Sequence, residues 1–218
     1  IAESGKRLEI NGNYYYEYVG NFQGCSGVKE LALPKRAYIG IGAFSGFDGL
    51  KTIRFAKNDG NSISIYEYAF MNCTSLENII CENGIGFVGN YGFSGCTSLT
   101  SITLTGAYSI GEGAFAGCTA LTSLDLRNNY GIIIEEDAFE GVNLQEVKFD
   151  SSASGLNTSA FNHISEMTAY YPVQWNENPI YWWEEELDFE EIKATHPGWT
   201  WIALDENGDI VEILDTIY

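Results

Sequence analysis

The chain has 218 residues, 45% of them hydrophobic, which is enough for a sizeable core, and a net charge of −19. Such acidity excludes a nucleic-acid surface, which needs clustered Lys and Arg, and disfavours docking on anionic lipid. No apolar run approaches a membrane span; the chain begins at Ile1 and reads as a mature or trimmed product, so the missing secretory signal says nothing about location.

Residues 1–15 read as an N-terminal cap. Two strand-like runs, residues 7–10 and 13–18, flank Asn11-Gly12. Asn-Gly between such runs is a strong hairpin signal. The tyrosines of this hairpin would cover the open end of the first coil.

Residues 16–171 carry a repeat. Phe stands at 22, 44, 70, 93, 115, 139 and 161, at intervals of 22, 26, 23, 22, 24 and 22 residues. A period of roughly 20–29 residues with a fixed apolar pattern means a solenoid of about seven coils, in which each coil is too small to bury its own apolar face. One residue before the Phe is small (Ala43, Ala69, Gly92, Ala114, Ala138, Ala160), and three after it stand Cys25, Phe47, Cys73, Cys96, Cys118 and Val142. A Leu-x-x-Ile-x-Leu stretch follows. Its period-2 alternation puts the Ile and last Leu inward and the residue between them outward. Stacked, these stretches predict a parallel concave sheet, with the Ile-Gly-x-x-Ala-Phe half returning along the opposite side. Two residues after each Phe stand Gly24, Gly46, Asn72, Gly95, Gly117 and Gly141, residue types that tolerate a left-handed bend. His163 takes that place in the last copy and marks it as degenerate.

The units Phe93-Ser94-Gly95-Cys96-Thr97-Ser98-Leu99-Thr100-Ser101-Ile102-Thr103-Leu104 and 110–126 resemble the leucine-rich repeat of the BspA type, also called the Treponema pallidum type. The resemblance covers about residues 16–171. The Pro usual in that family after the last Leu is present here as Pro34 and, less clearly, Pro172. It implies a leucine-rich-repeat solenoid, mainly β with short helical or 3-10 turns. It also implies an extracellular or cell-surface protein that binds rather than catalyses, in a family where several members adhere to host or matrix proteins. It brings no catalytic residue and no cofactor with it.

The composition breaks near Pro172. Residues 1–171 hold 18 acidic and 10 basic residues, a net of −8, whereas 172–218 hold 12 acidic residues against Lys193 alone, a net of −11. All five Trp lie in this tail, which reads as a small acidic α+β C-terminal capping module. Asp188 and Glu191 have capping-box spacing, so a short helix is expected over 189–194, stopped by Thr195-His196-Pro197-Gly198. Residues 199–204 and 210–214, joined at Asp205-Glu206-Asn207-Gly208, read as a terminal hairpin. Glu184-Glu185-Glu186, before the helix, reads as a solvated run.

Candidate chemistry is sparse. Cys25, Cys73, Cys96 and Cys118 share one repeat position, and Cys81 fills another apolar one; the spacing matches no zinc pattern. They read as a ladder of buried thiols, with a disulfide between neighbours such as Cys96 and Cys118 as the alternative. Gly40-Ile41-Gly42-Ala43-Phe44-Ser45-Gly46 has the wrong spacing for a phosphate loop, and the repeat accounts for it. Asp205-Glu206-Asn207-Gly208-Asp209 opens like a calcium loop but has Ile210 and Thr216 where Gly and Glu are needed. Only His163 and His196 are present, and no nucleophile, base and orienting group can be traced, so no catalytic residue, metal site or enzyme is predicted.

A partner therefore has the outward rows of the concave face. One row reads Glu30, Thr52, Asn78, Ser101, Ser123, Glu146, the next Ala32, Arg54, Ile80, Thr103, Asp125, Lys148. The candidate ligand-binding residues are Thr52, Arg54, Asn78, Ile80, Ser101, Thr103, Ser123, Asp125, Glu146 and Lys148. Trp199 and Trp201 are expected inward, under the cap. Trp182 and Trp183 cannot both face one side of a strand, so one is a candidate exposed aromatic. The function expected is an adhesin-like module recognising an extracellular protein or polysaccharide. The alternative is a structural spacer solenoid that presents other domains and has no ligand of its own.

Overall fold

The structure is a computed structural model that describes residues 7–9, 17–19, 27–34, 37–57, 63–82, 84–127, 129, 131–149, 158–176, 180–182, 185–187 and 189–214. Its strands begin with β1 (Arg7–Glu9), β2 (Glu17–Val19), β3 (Glu30–Leu33), β4 (Ala37–Ile39), β5 (Thr52–Phe55) and β6 (Ile63–Ile65). They continue with β7 (Asn78–Ile80), β8 (Ile85–Val88), β9 (Ser109–Ile110), β10 (Ser123–Asp125), β11 (Ile133–Ile134) and β12 (Glu146–Lys148). Then follow β13 (Met167–Pro172), β14 (Ile180–Trp182), β15 (Glu185–Leu187), helix α1 (Phe189–Thr195), β16 (Trp199–Leu204) and β17 (Ile210–Leu214).

The strands form a solenoid of parallel sheets. The Leu-x-x-Ile-x-Leu halves build the concave side, in the orders β1-β3-β5-β7 and β10-β12-β13-β16-β17. The Ile-x-x-x-Ala-Phe halves build a six-stranded return sheet, β11-β9-β8-β6-β4-β2. Between the two sheets lies one rod of apolar side chains. Phe44, Phe70, Phe93, Phe115, Phe139 and Phe161 are buried and stack ring on ring, with centroids 5.2–5.6 Å apart and planes within 12°. Phe22 lies outside the described residues. The amides of Phe44, Phe70, Phe93 and Phe115 also bond to the next coil, as in Phe93 N–H to the Ala114 carbonyl at 2.8 Å and Phe115 N–H to Ala138 at 2.8 Å. The backbone polar groups of the turn are thus satisfied by the same stacking that buries the ring.

The left-handed bend two residues after the Phe is present at Gly46, Asn72, Gly95, Gly117 and Gly141 (φ 59–75). His163 is absent from the left-handed residues, so the Phe161 copy loses that bend. A second left-handed position, two residues before the Phe, had no signal in the residue types: it holds Gly42, Tyr68, Tyr91, Gly113 and Asp137.

The expected N-terminal hairpin is corrected. β1 pairs in parallel with β3, and β2 pairs in parallel with β4. The segment enters two sheets as the first rung of each, because the first coil leaves two open strand edges and one strand on each satisfies both. Asn11-Gly12 lies outside the described residues. A second expectation needs amendment: the concave sheet is not continuous, since residues 101–104 are not strand and separate the four-stranded part from the five-stranded part.

The tail continues the repeat sheet. β16 pairs with β13 in parallel register, Ala169 beside Trp201 and Tyr171 beside Ala203, and β17 closes it as an antiparallel hairpin. Trp199 and Trp201 are buried, among Phe149, Phe161, Tyr171 and Trp175. The Trp199 indole donates to the Ile164 carbonyl at 2.8 Å. α1 stops where His196-Pro197-Gly198 begins; Asp188, its expected cap, lies outside the described residues. A Cβ on Gly198 would lie 2.1 Å from the Ser165 carbonyl oxygen, so only glycine lets this turn approach the repeats.

Candidate binding face

The outward rows stand in the predicted register. Glu30 lies beside Thr52, Thr52 beside Asn78, and Ser123 beside Glu146; in the next row Arg54 pairs with Ile80 and Asp125 with Lys148. Both rows run further than the residue pattern suggested. Thr168 and Thr200 extend the first, Tyr170 and Ile202 the second, because β13 and β16 join the same sheet. The alternation in 167–171 and 199–204 was the available signal, and the compositional break at Pro172 hid it.

The charges on this face are paired among themselves. Arg54 Nε lies 3.5 Å from Glu30, and Lys148 Nζ 3.1 Å from Glu146 and 5.5 Å from the Tyr170 ring centroid. Arg127 folds back on Asp125 in a bidentate pair, Nε to Oδ1 at 2.9 Å and Nη2 to Oδ2 at 2.6 Å. That pair, aided by the Arg127 backbone N–H and by Lys148, holds the Asp125 carboxyl below its ordinary range. Lys51–Glu77 and Lys57–Glu82 tie adjacent coils on the same side.

The interruption at 101–104 changes the middle of the face. In the intact rungs the inward residues Leu31, Ile53, Leu124 and Val147 are at most 3% exposed. Their counterparts Ile79 and Ile102 are only partly buried, and the outward Ile80 is 38% exposed. The cause is local. The Thr103 carbonyl accepts from Ile85 N–H at 3.1 Å, and Gly84 (φ 75) lets the Thr105 backbone come so close that a Cβ would lie 2.3 Å from its oxygen. The segment leans towards the return strand, and the ladder to β7 and β10 is not made. Ser101 and Thr103 therefore sit, exposed, on an extended loop between two strand edges.

The remaining candidates are placed as follows. Cys73, Cys96 and Cys118 are buried, unbridged thiols, each donating to a carbonyl in the preceding coil, at Phe44, Phe70 and Phe93 respectively, at 3.2–3.3 Å. Hydrogen bonding along the ladder, from Cys118 and then Cys73, and burial push the Cys96 thiol well up. Cys25 lies outside the described residues. The N–H groups of Gly42, Ala43, Phe44, Ser45 and Gly46 are taken by the Glu67, Gly40, Ala69, Gly42 and Met71 carbonyls, so that glycine stretch does not present the cradle of free donors a phosphate needs. The Asp205 carboxylate accepts from the N–H groups of Asn207 (2.8 Å) and Asp209 (2.9 Å) and serves the hairpin turn. Among the described residues no three His, Cys, Asp or Glu side chains are grouped to hold a metal. No helix of the described residues is long and apolar enough to cross a membrane. Trp183 lies outside the described residues, and Trp182 is described only by its backbone in β14.

A sequence profile described as "BspA type Leucine rich repeat region" matches the chain in six copies, over residues 16–106 and 59–168. No curated protein matches. Among solved structures, a leucine-rich repeat protein from Bacteroides ovatus superposes with a TM-score of 0.55 at 27% identity. That match covers 66% of this chain and 37% of the other, so this chain spans well under half the length of that protein. A T. pallidum leucine-rich repeat protein gives a TM-score of 0.46 at 18% identity, covering 72% of this chain and 73% of that one.

Proposed function

The chain belongs to the BspA-type leucine-rich repeat family, and from that premise we propose that it is a non-catalytic, extracellular or surface-displayed module that recognises a protein or polysaccharide on its concave face. The observation that carries the reading is the interruption at 101–104. It leaves Ile80 38% exposed on the outward row beside the gap, with Thr52, Asn78, Ser101, Thr103 and Ser123 as polar rim, and leaves Ile79 and Ile102, on the inward side, only partly buried. An apolar centre inside a polar rim is the usual anatomy of a recognition patch. A complete ladder would have covered Ile79 and Ile102 as it covers Ile53 and Leu124.

The spacer reading has its own support. The charges of the face are satisfied by one another, at Arg54–Glu30, Asp125–Arg127 and Lys148–Glu146, which suits a plain solvated sheet. An array of glycans and extracellular matrix proteins, probed with wild type and with Ile80→Glu and Thr103→Arg, separates the two. Binding by wild type that both substitutions abolish supports recognition at the interruption. Binding that both leave intact puts the site elsewhere, and no binding by any form favours the spacer.

A further inference from the structure

The turn flank of the solenoid carries a surface that the concave rows do not use. Two residues before the Phe, Gly42, Gly113 and Asp137 take the left-handed backbone, but in two adjacent coils a bulky ring stands there instead, Tyr68 (φ 58) and Tyr91 (φ 56). Such a residue is strained in this region, and strain kept at an exposed position where neighbouring coils use glycine points to a role other than folding. The two rings lie parallel, 5.5 Å apart and 2° from coplanar, and Tyr68 is 41% exposed. Glycine makes the room. A Cβ on Gly113 would meet Tyr91 Cε1 at 2.4 Å, whereas a Cβ on Gly42 would find nothing within 4 Å, and among the described residues no further ring continues the stack past Tyr68. Ile41, beside Gly42, is 60% exposed.

Charge on this flank is one-sided. The return halves, residues 63–73, 85–96, 107–118 and 131–142, contain Glu67, Glu112, Glu135, Glu136, Asp137 and Glu140 and no Lys or Arg. Among the described residues every Lys or Arg ion pair lies on the concave halves or in the tail. Glu67 Oε2 is enclosed without a hydrogen-bond partner, and Glu112 Oε1 accepts from the Tyr91 hydroxyl at 2.5 Å.

We propose that this flank docks a Lys/Arg-rich segment of a protein partner, one cation lying on the open face of Tyr68 and its neighbours meeting Glu67 and Glu112. A cation over an aromatic face and cations opposite carboxylates that no Lys or Arg of these halves neutralises are mutually reinforcing, and both exclude an anionic polymer. The proposal stands independently of the concave face.

The test is fluorescence anisotropy of a labelled decalysine or deca-arginine peptide titrated with the full chain at low and physiological salt. Tyr68→Asn, which suits the backbone as Asn72 does at φ 59, is expected to weaken binding about two- to fivefold without lowering the unfolding temperature, and Tyr68→Phe to retain it. Glu67→Gln/Glu112→Gln is expected to weaken binding at low salt more than the charge-matched control Glu166→Gln/Glu206→Gln. Equal losses in the two pairs would reduce the effect to net charge and overturn the proposal. So would wild-type affinity in Tyr68→Asn together with Glu67→Gln/Glu112→Gln, or displacement of the peptide by a neutral oligosaccharide that needs Tyr68.

Discussion

The stacked coils and the C-terminal tail both cover a rod-like core, but with different side chains. In the coils like rests on like: Phe on Phe, and Cys73, Cys96 and Cys118 in one ladder. In the tail nothing repeats. Trp199, Trp201, Trp175, Tyr171 and His196 interlock at mixed angles over Phe149 and Phe161. The difference teaches where each part is vulnerable. A coil is held on two sides by its neighbours, so damage to one rung spreads along the rod. The tail ends the rod and contains a buried imidazole, so it responds to mild acid.

The largest break in this contrast is Phe115→Ala. It empties a rung flanked by Phe93 and Phe139 and is expected to cost about 3–5 kcal/mol in urea unfolding. Next is Asn129→Ala. Asn129 is fully buried; its Oδ1 accepts from Ala107 N–H at 2.8 Å and its Nδ2 donates to the Leu126 carbonyl at 2.9 Å. Removing it strands both backbone groups, and about 1–3 kcal/mol of stability should go in the same assay.

The third prediction sharpens the tail side. His196 is buried against Trp199 with ring centroids 4.0 Å apart, and its Nε2 has no hydrogen-bond partner. Burial pushes its pKa down, against a smaller opposing effect of the Ile192 carbonyl. The folded value lies below the unfolded one of about 6.5, so the unfolded state takes up the proton first. The contribution is therefore complete above that value and lost as pH falls through the folded pKa. Tail tryptophan fluorescence should show earlier unfolding in mild acid, and His196→Asn should remove that pH dependence. The smallest effect is Lys51→Gln. Its ion pair with Glu77 (2.7 Å) is solvent-exposed, so thermal unfolding should shift by no more than about 1 kcal/mol.

The regular part of this molecule was legible because one side chain per turn must meet its own copy. The Phe spacing, the alternation in Leu-x-x-Ile-x-Leu and the Gly at the bend all follow from that requirement. Three features were not legible for a related reason. Phe93 to Leu104 is among the best copies of the motif, yet its strand half is the one that leaves the ladder, because Gly84 and the Thr103–Ile85 bond act across a coil boundary. The Asn11-Gly12 signal is local, whereas β1 and β2 pair with two separate sheet edges. Tyr68 and Tyr91 occupy a left-handed position that their residue type argues against. Of the candidate face, the registers of Thr52, Asn78, Arg54, Ile80, Ser123 and Glu146 could be read in advance. The only partly buried Ile79 and Ile102 could not.

Native-state hydrogen exchange of wild type and Phe115→Ala tests the shared core most directly. If adjacent coils depend on one another, the amides of Phe93 and, in the following coil, Val142 lose the most protection, Phe70 less and Phe44 least. Loss confined to the Phe115 turn, or uniform from Phe44 to Phe161, would contradict a core built by stacking like on like.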